Sequence, residues 1–293
     1  MIDSLILTNV NTSQSVLIDT LDSEFVLGDV DFGTVGGTHH SYKYINQVGV
    51  YIDNTTLEQR TISINGWVVG DTYDLLIKNK AVLNQLINPL HKIELTIKDK
   101  YKLGFKPDFS IQYSVSYEEN NEVLCKFLIQ GTCADPMFTT KNRQSTLIAS
   151  TIPKFKFPLI IPKSVGILMG LREPSLLATL TNRGDIDTGL LITFSCTSTV
   201  INPSLLNVNT REFIKINETL SVGEKIVIST ESGEKYVKCI TSSGESNYFK
   251  YMDFDSTWLQ LHTGDNVLKY DADDNPSGLE VLVSFSPKYL EVQ

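Results

Sequence analysis

The residues able to carry chemistry are few and scattered. Histidine occurs at His39, His40, His91 and His262, with no GxSxG elbow, no HExxH pair and no glycine loop of the phosphate-binding kind. His39 and His40 could bind a metal ion, but neighbouring side chains of an extended segment point apart, which disfavours that reading. Carboxylates gather at Asp253 and Asp255 and again at Asp271, Asp273 and Asp274. Their functional readings are a calcium site or a glycosidase pair. Against both stands the run DADDNPSG, which lacks calcium-loop spacing and reads as Asx-turn chemistry between strands. Cys125, Cys133, Cys196 and Cys239 form no CxxC pair and read as buried thiols acting as small hydrophobes. Tyr248, Phe249, Tyr251, Phe254 and Trp258 would stack on sugars if exposed, but packing between sheets is the favoured reading. Arg183-Gly184-Asp185 fits a tight turn. No catalytic residue, cofactor-binding residue or metal ligand is therefore assigned. The sequence reads as a non-enzyme without a cofactor.

Composition narrows the class further. The chain has 293 residues, 41% of them hydrophobic and 20% charged, the balance of a folded soluble protein. No apolar run reaches the roughly 18 residues a spanning helix needs, and Met1-Ile2-Asp3-Ser4 lacks a basic leader, so synthesis in a cytosol without membrane insertion is expected. The formal charge of −9 argues against dedicated nucleic-acid binding. Residues 1–140 hold 17 acids and 10 bases, net −7; the remainder holds 17 and 15, net −2.

Residues 60–89 hold the clearest pattern of secondary structure. Ile62, Ile64 and Val68 alternate with Thr61, Ser63 and Asn65 as in a half-buried strand. A helix follows, with Asp71 expected as its N-cap, a stripe of Leu75, Leu76, Val82, Leu83 and Leu86, and Pro89 as its stop. Residues 5–27 read as a hairpin, and residues 92–130 as strands returning on one another. Residues 28–49 are different, with five glycines, two histidines, Phe32, Tyr42 and Tyr44, and little periodicity. So long a stretch without a core pattern reads as an extended arm or long loop, functional or ordered against a partner. The candidate contact residues on it are Asp31, Phe32, Val35, His39, His40, Tyr42 and Tyr44. The expected division is a first domain over 1–139 of antiparallel sheet with one helix, a proline-rich connector over 140–174, and a β-sandwich over 175–293 built from short strands with turn residues between them. The fold class is mainly β, with an α+β first domain.

The order of these features resembles the distal tail (Dit) family of phages with long, non-contractile tails. It is carried by RTISINGW at 60–67, the helix, Asn88-Pro89 and GTCADPMF at 131–138. In the second half it is carried by NRGDIDTGLLITF at 182–194, LSVGEKIVIST at 220–230, YFKYMDFDSTWLQL at 248–261, GDNVL at 264–268 and the close at 281–290. The resemblance implies a structural protein of the virion tail tip, made in the bacterial host cytoplasm. It implies a homohexameric ring of first domains that joins the tail tube protein to a tail-associated tip protein and to receptor-binding or other baseplate proteins, with DNA passing through the lumen without sequence-specific contact. The second domain would be galectin-like, and the candidate contact residues would lie at a subunit interface. A carbohydrate-binding receptor-recognition module of a phage tail is the alternative, and a glycoside hydrolase a third class.

Overall fold

A computed structural model describes residues 2–20, 23–46, 48–99, 104–119, 121–148, 150–153, 170–173 and 177–292. The chain is mainly β and divides into two units, one of residues 1–142 together with 288–293, the other of residues 143–287.

The first unit contains strands β1 (Ile2–Asn9), β2 (Gln14–Asp19), β3 (Phe25–Asp31), β4 (Gly37–Tyr42), β5 (Tyr51–Leu57) and β6 (Arg60–Val69), helix α1 (Tyr73–Leu86), and strands β7 (Ile93–Asp99), β8 (Gly104–Ile111), β9 (Ser116–Glu119) and β10 (Leu124–Thr140). Seven of them pair in the order β10-β6-β3-β2-β1-β7-β8, and β8 pairs again with β10, so the sheet closes on itself. Closure removes the open edges that an antiparallel sheet otherwise presents. Alternate residues point inward: Leu5 and Leu7 from β1, Ile62, Ile64 and Val68 from β6, Leu95 and Ile97 from β7, Phe127 and Ile129 from β10. Gly66 takes an inward position of β6, where a Cβ would lie 2.4 Å from the Val26 carbonyl oxygen and 2.6 Å from Phe127 Cζ. The missing side chain is what lets the phenyl ring lie across the strand.

Helix α1 lies on this core through Leu76, Leu83 and Leu86. Its N-cap is Thr72 rather than Asp71: Thr72 has extended backbone and its Oγ1 accepts from the Leu75 N–H at 3.3 Å. Both residues suit the position by type, and the backbone geometry decides between them. Val82 is 41% exposed, because at 100° per residue it sits a quarter-turn from the Leu76–Leu83 stripe. Asn79 takes the buried place instead, its Nδ2 donating to the Val69 carbonyl at 2.9 Å.

The second unit holds a six-stranded antiparallel sheet in the order Gln144–Leu147, Leu279–Phe285, Leu191–Cys196, Lys225–Ser229, Tyr236–Thr241, Gly244–Asn247. A four-stranded sheet runs Leu177–Asn182, Gly264–Asp271, Ser204–Asn207, Phe213–Lys215. One core takes side chains from both sheets, with Phe194, Ile226 and Val281 from the larger and Leu205, Ile214 and Tyr270 from the smaller. That is the two-layer arrangement short alternating strands predict.

The divisions differ from the sequence reading at two places. Gln144–Leu147, expected in the connector, pairs with Leu279–Phe285 inside the second unit. At the other end, Lys288–Tyr289 leaves the sandwich and pairs with Phe138 and Thr139 of β10. Pro287 ends the sandwich strand, and a two-residue strand is too short to show alternation. The greater part of the expected connector, residues 149, 154–169 and 174, lies outside the described residues. Among the described residues no helix is long and apolar enough to cross a membrane.

Candidate assembly surface

The segment expected as an unpatterned arm resolves into two parts. Its first residues, 28–31, belong to β3, whose register with β6 shifts between Leu27 and Val30. The remainder forms one leg of a hairpin, β4 against β5, paired from Gly37↔Leu57 to Tyr42↔Tyr51 with an irregularity at His40/Ser41. Every residue of both strands is exposed. A strand with neither face buried has no reason to alternate, which is why the sequence shows no period there.

Two hydrogen bonds close the base of the hairpin. Gly33 has φ 62° and donates its N–H to Asp31 Oδ1 at 2.8 Å, and Glu58 N donates to the Gly36 carbonyl at 2.9 Å. Across the strands, the Thr38 hydroxyl donates to the Glu58 carboxylate, His39 Nδ1 meets Thr55 Oγ1 at 2.8 Å, and His40 Nε2 meets Thr56 Oγ1 at 3.1 Å. At the far end Tyr42 packs on Tyr44 (5.2 Å, edge to face) and on Tyr51 (5.0 Å). The hydrogen bond that the Tyr42 hydroxyl donates to Tyr44 is the main cause that raises the Tyr42 phenol above its ordinary value. Beyond these rings the tip is apolar and open to solvent: Tyr44 is 65% exposed, Ile45 94% and Val48 100%.

The seven predicted contact residues thus separate. His39, His40, Tyr42 and Tyr44 lie on the hairpin or its tip. Asp31 caps the turn at the base. Val35 sits half-buried between them. Phe32 packs against the barrel core, edge to face on Phe138 at 5.5 Å. Sequence reasoning missed the second leg, including Val50, Tyr51, Ile52 and Leu57, all about half exposed. Tyr-Ile before Thr-Thr was a β-propensity signal that a partner strand across Gly49 would have explained.

The other candidate groups are held by the fold. Asp253 accepts from Asn217 Nδ2 (2.8 Å) and from the Asp255 N–H (2.9 Å), and these bonds, with Lys215 nearby, hold its carboxyl below the usual value. Lys215 and Asn202 do the same for Asp273. His262 Nδ1 pairs with Asp187 Oδ2 at 2.6 Å. The four cysteines are buried and form no disulfide, and burial pushes the Cys133 thiol up to about 12. No group of three metal-ligating side chains is present among the described residues.

Residues 183–289 match the family model described as siphovirus-type tail component, C-terminal domain. Among solved structures, the chain is similar to the Dit protein (gp 19.1) of SPP1, described as a paradigm of the hub adsorption apparatus in phages infecting Gram-positive bacteria. That likeness has a TM-score of 0.66 and 14% identity and covers 98% of this chain and 99% of the other. A second likeness is to a chain of the phage P2 baseplate in its activated conformation with calcium, at TM-score 0.51 and 12% identity, covering all of both chains. No curated protein matches in sequence. Residues 183–289 thus carry the siphovirus-type tail component domain, and the chain as a whole has the fold of these two phage hub structures.

Proposed function

We propose that this chain forms a hexameric ring at the end of a phage tail. Its first units would make the ring, and its second units, galectin-like sandwiches, would project from it. The ring joins the tail tube protein on one face to the tail-associated tip protein and receptor-binding apparatus on the other, and DNA passes through its lumen. The protein is made in the host cytoplasm and becomes part of the virion tail. The observation that carries this reading is the hairpin of residues 37–57, exposed on both faces and ending in an apolar tip.

An isolated two-stranded hairpin is marginal in water, and an apolar tip of this kind is characteristic of a protein contact. A cyclic ring needs two different patches on each subunit, one reaching and one receiving. The hairpin supplies the reaching one. The net charge of −7 over residues 1–140 suits a lumen through which a polyanion must slide without binding.

Negative-stain microscopy of the purified chain tests the reading: rings of six are expected. Ile45→Asp with Val48→Asp is expected to leave the melting temperature unchanged and to abolish the rings. A wild-type chain that remains monomeric at high concentration would overturn the proposal.

A further inference from the structure

In the second unit, strand Phe213–Lys215 is the last of the four-stranded sheet, and its outer edge is covered by the segment that follows the short helical turn Phe249–Tyr251. Asp253 N donates to the Lys215 carbonyl (2.9 Å), Lys215 N donates to Ser256 Oγ (3.0 Å), and Thr257 N donates to the Phe213 carbonyl (2.8 Å). The turn itself is closed by Ser256 N donating to the Asp253 carbonyl at 3.1 Å, and the Asp253 carboxylate ties it to Asn217 and to the Asp255 N–H. At its apex stands Phe254, with a relative exposure of 106%. Covering the edge uses backbone groups and the side chains of Asp253 and Ser256, and none of it uses the phenyl ring. Serine or asparagine at 254 would close the same turn. The ring's exposure therefore has no origin in the folding of this unit.

We propose that Phe254 is an anchor for a protein partner, its ring entering an apolar pocket whose rim carries lysine or arginine. Buried aromatic anchors dominate the energetics of protein interfaces, and a ring on a turn already fixed by hydrogen bonds loses little freedom on binding. The flanking carboxylates of Asp253 and Asp255 call for a cationic rim. A saccharide fits less well, because the neighbouring Phe249 stacks parallel on Trp258 (6.1 Å, 13°) within its own unit and so is engaged there. In taking the partner from the same particle, the proposal rests on the hub reading above.

The test places p-benzoylphenylalanine at 254 in the full chain, and separately at Val222, which is 63% exposed, in particles assembled in producing cells and then irradiated. The expected result is one dominant adduct from position 254, on a different protein, at a peptide with lysine or arginine beside apolar residues. Phe254→Ala should weaken binding of that protein roughly 30-fold and leave the melting temperature of the second unit unchanged. A carbohydrate adduct, adducts only within the same chain, or a yield no higher than at 222 overturns the proposal. So does a fall in melting temperature with Phe254→Ala, since it would assign the ring to the fold. Ring formation uses the hairpin and is scored separately on the purified Phe254→Ala chain, so failure of the hub reading and failure of this one are told apart.

Discussion

Strand β6 and the hairpin β4–β5 are chain neighbours, separated by two residues, and they are opposite solutions to the same problem. Along β6 every second residue is buried, and α1 behind it adds Leu76, Leu83 and Leu86 to the same core. Along β4 and β5 no residue is buried, and stability within the chain comes from cross-strand pairing, a few hydroxyl and imidazole contacts and the packing of Tyr42 on Tyr44 and Tyr51. Burying a leucine contributes about 2 kcal/mol, while a cross-strand pair contributes about 0.2–1 kcal/mol. The first region is specified by its own unit. The second buries nothing within its own unit, and in the ring proposed above its apolar tip is the part a neighbouring subunit would bury.

The contrast is sharpest in what mutation should do. Leu83→Asp puts a carboxylate into a fully buried position. It should unfold the first unit, a loss of several kcal/mol, seen as disappearance of one calorimetric transition while that of the second unit persists. An intact first transition would mean the helix is dispensable to the barrel. Ending the chain after Pro287 removes Tyr289, which packs on Phe105 at 5.9 Å, and the Lys288–Asp135 ion pair of 2.6 Å. It also removes the Leu290 carbonyl that receives Arg60 Nη2 at 2.5 Å. The expected cost is about 3 kcal/mol to the first unit, measured by denaturant titration. At the hairpin, the Ile45→Asp and Val48→Asp pair should change stability by under about 0.5 kcal/mol while removing assembly, and a large stability loss would erase the distinction drawn here.

The smallest effect is one of pH on the second unit. Asp253 and Asp273 are both held below their ordinary value of 3.8. Their contribution is therefore present above that value and is lost as pH falls through the lower values they have in the folded chain. Melting temperature should decline on acidification below about pH 4, and less steeply in Asp253→Asn. An unchanged slope would mean that the turn below Phe254 is held by backbone contacts alone.

Sequence reading succeeded where burial imposes a period. The alternation of Ile62, Ile64 and Val68 and the Leu76–Leu83–Leu86 stripe are visible because the wrong register would expose them. So are the short strands of the second unit. It was weaker where the constraint is not periodic. The hairpin buries nothing of its own, and the choice of Thr72 over Asp71 as cap depends on φ and ψ. The burial of Asn79 depends on one carbonyl of β6. Phe254 was read with its aromatic neighbours as core packing, which holds for Tyr248, Tyr251 and Trp258 but not for Phe254 or Phe249, which are largely exposed. Aromatic type predicts burial, and only the geometry of the turn reveals the exception.

The return of Lys288–Tyr289 to β10 has a consequence in time. These residues and Leu290 leave the ribosome only after the whole of the second unit has been translated, and until then Phe138 is paired only with Pro107 of β8 and the buried guanidinium of Arg60 lacks the Leu290 carbonyl. Chains interrupted anywhere in the second unit are thus left with an unfinished first unit.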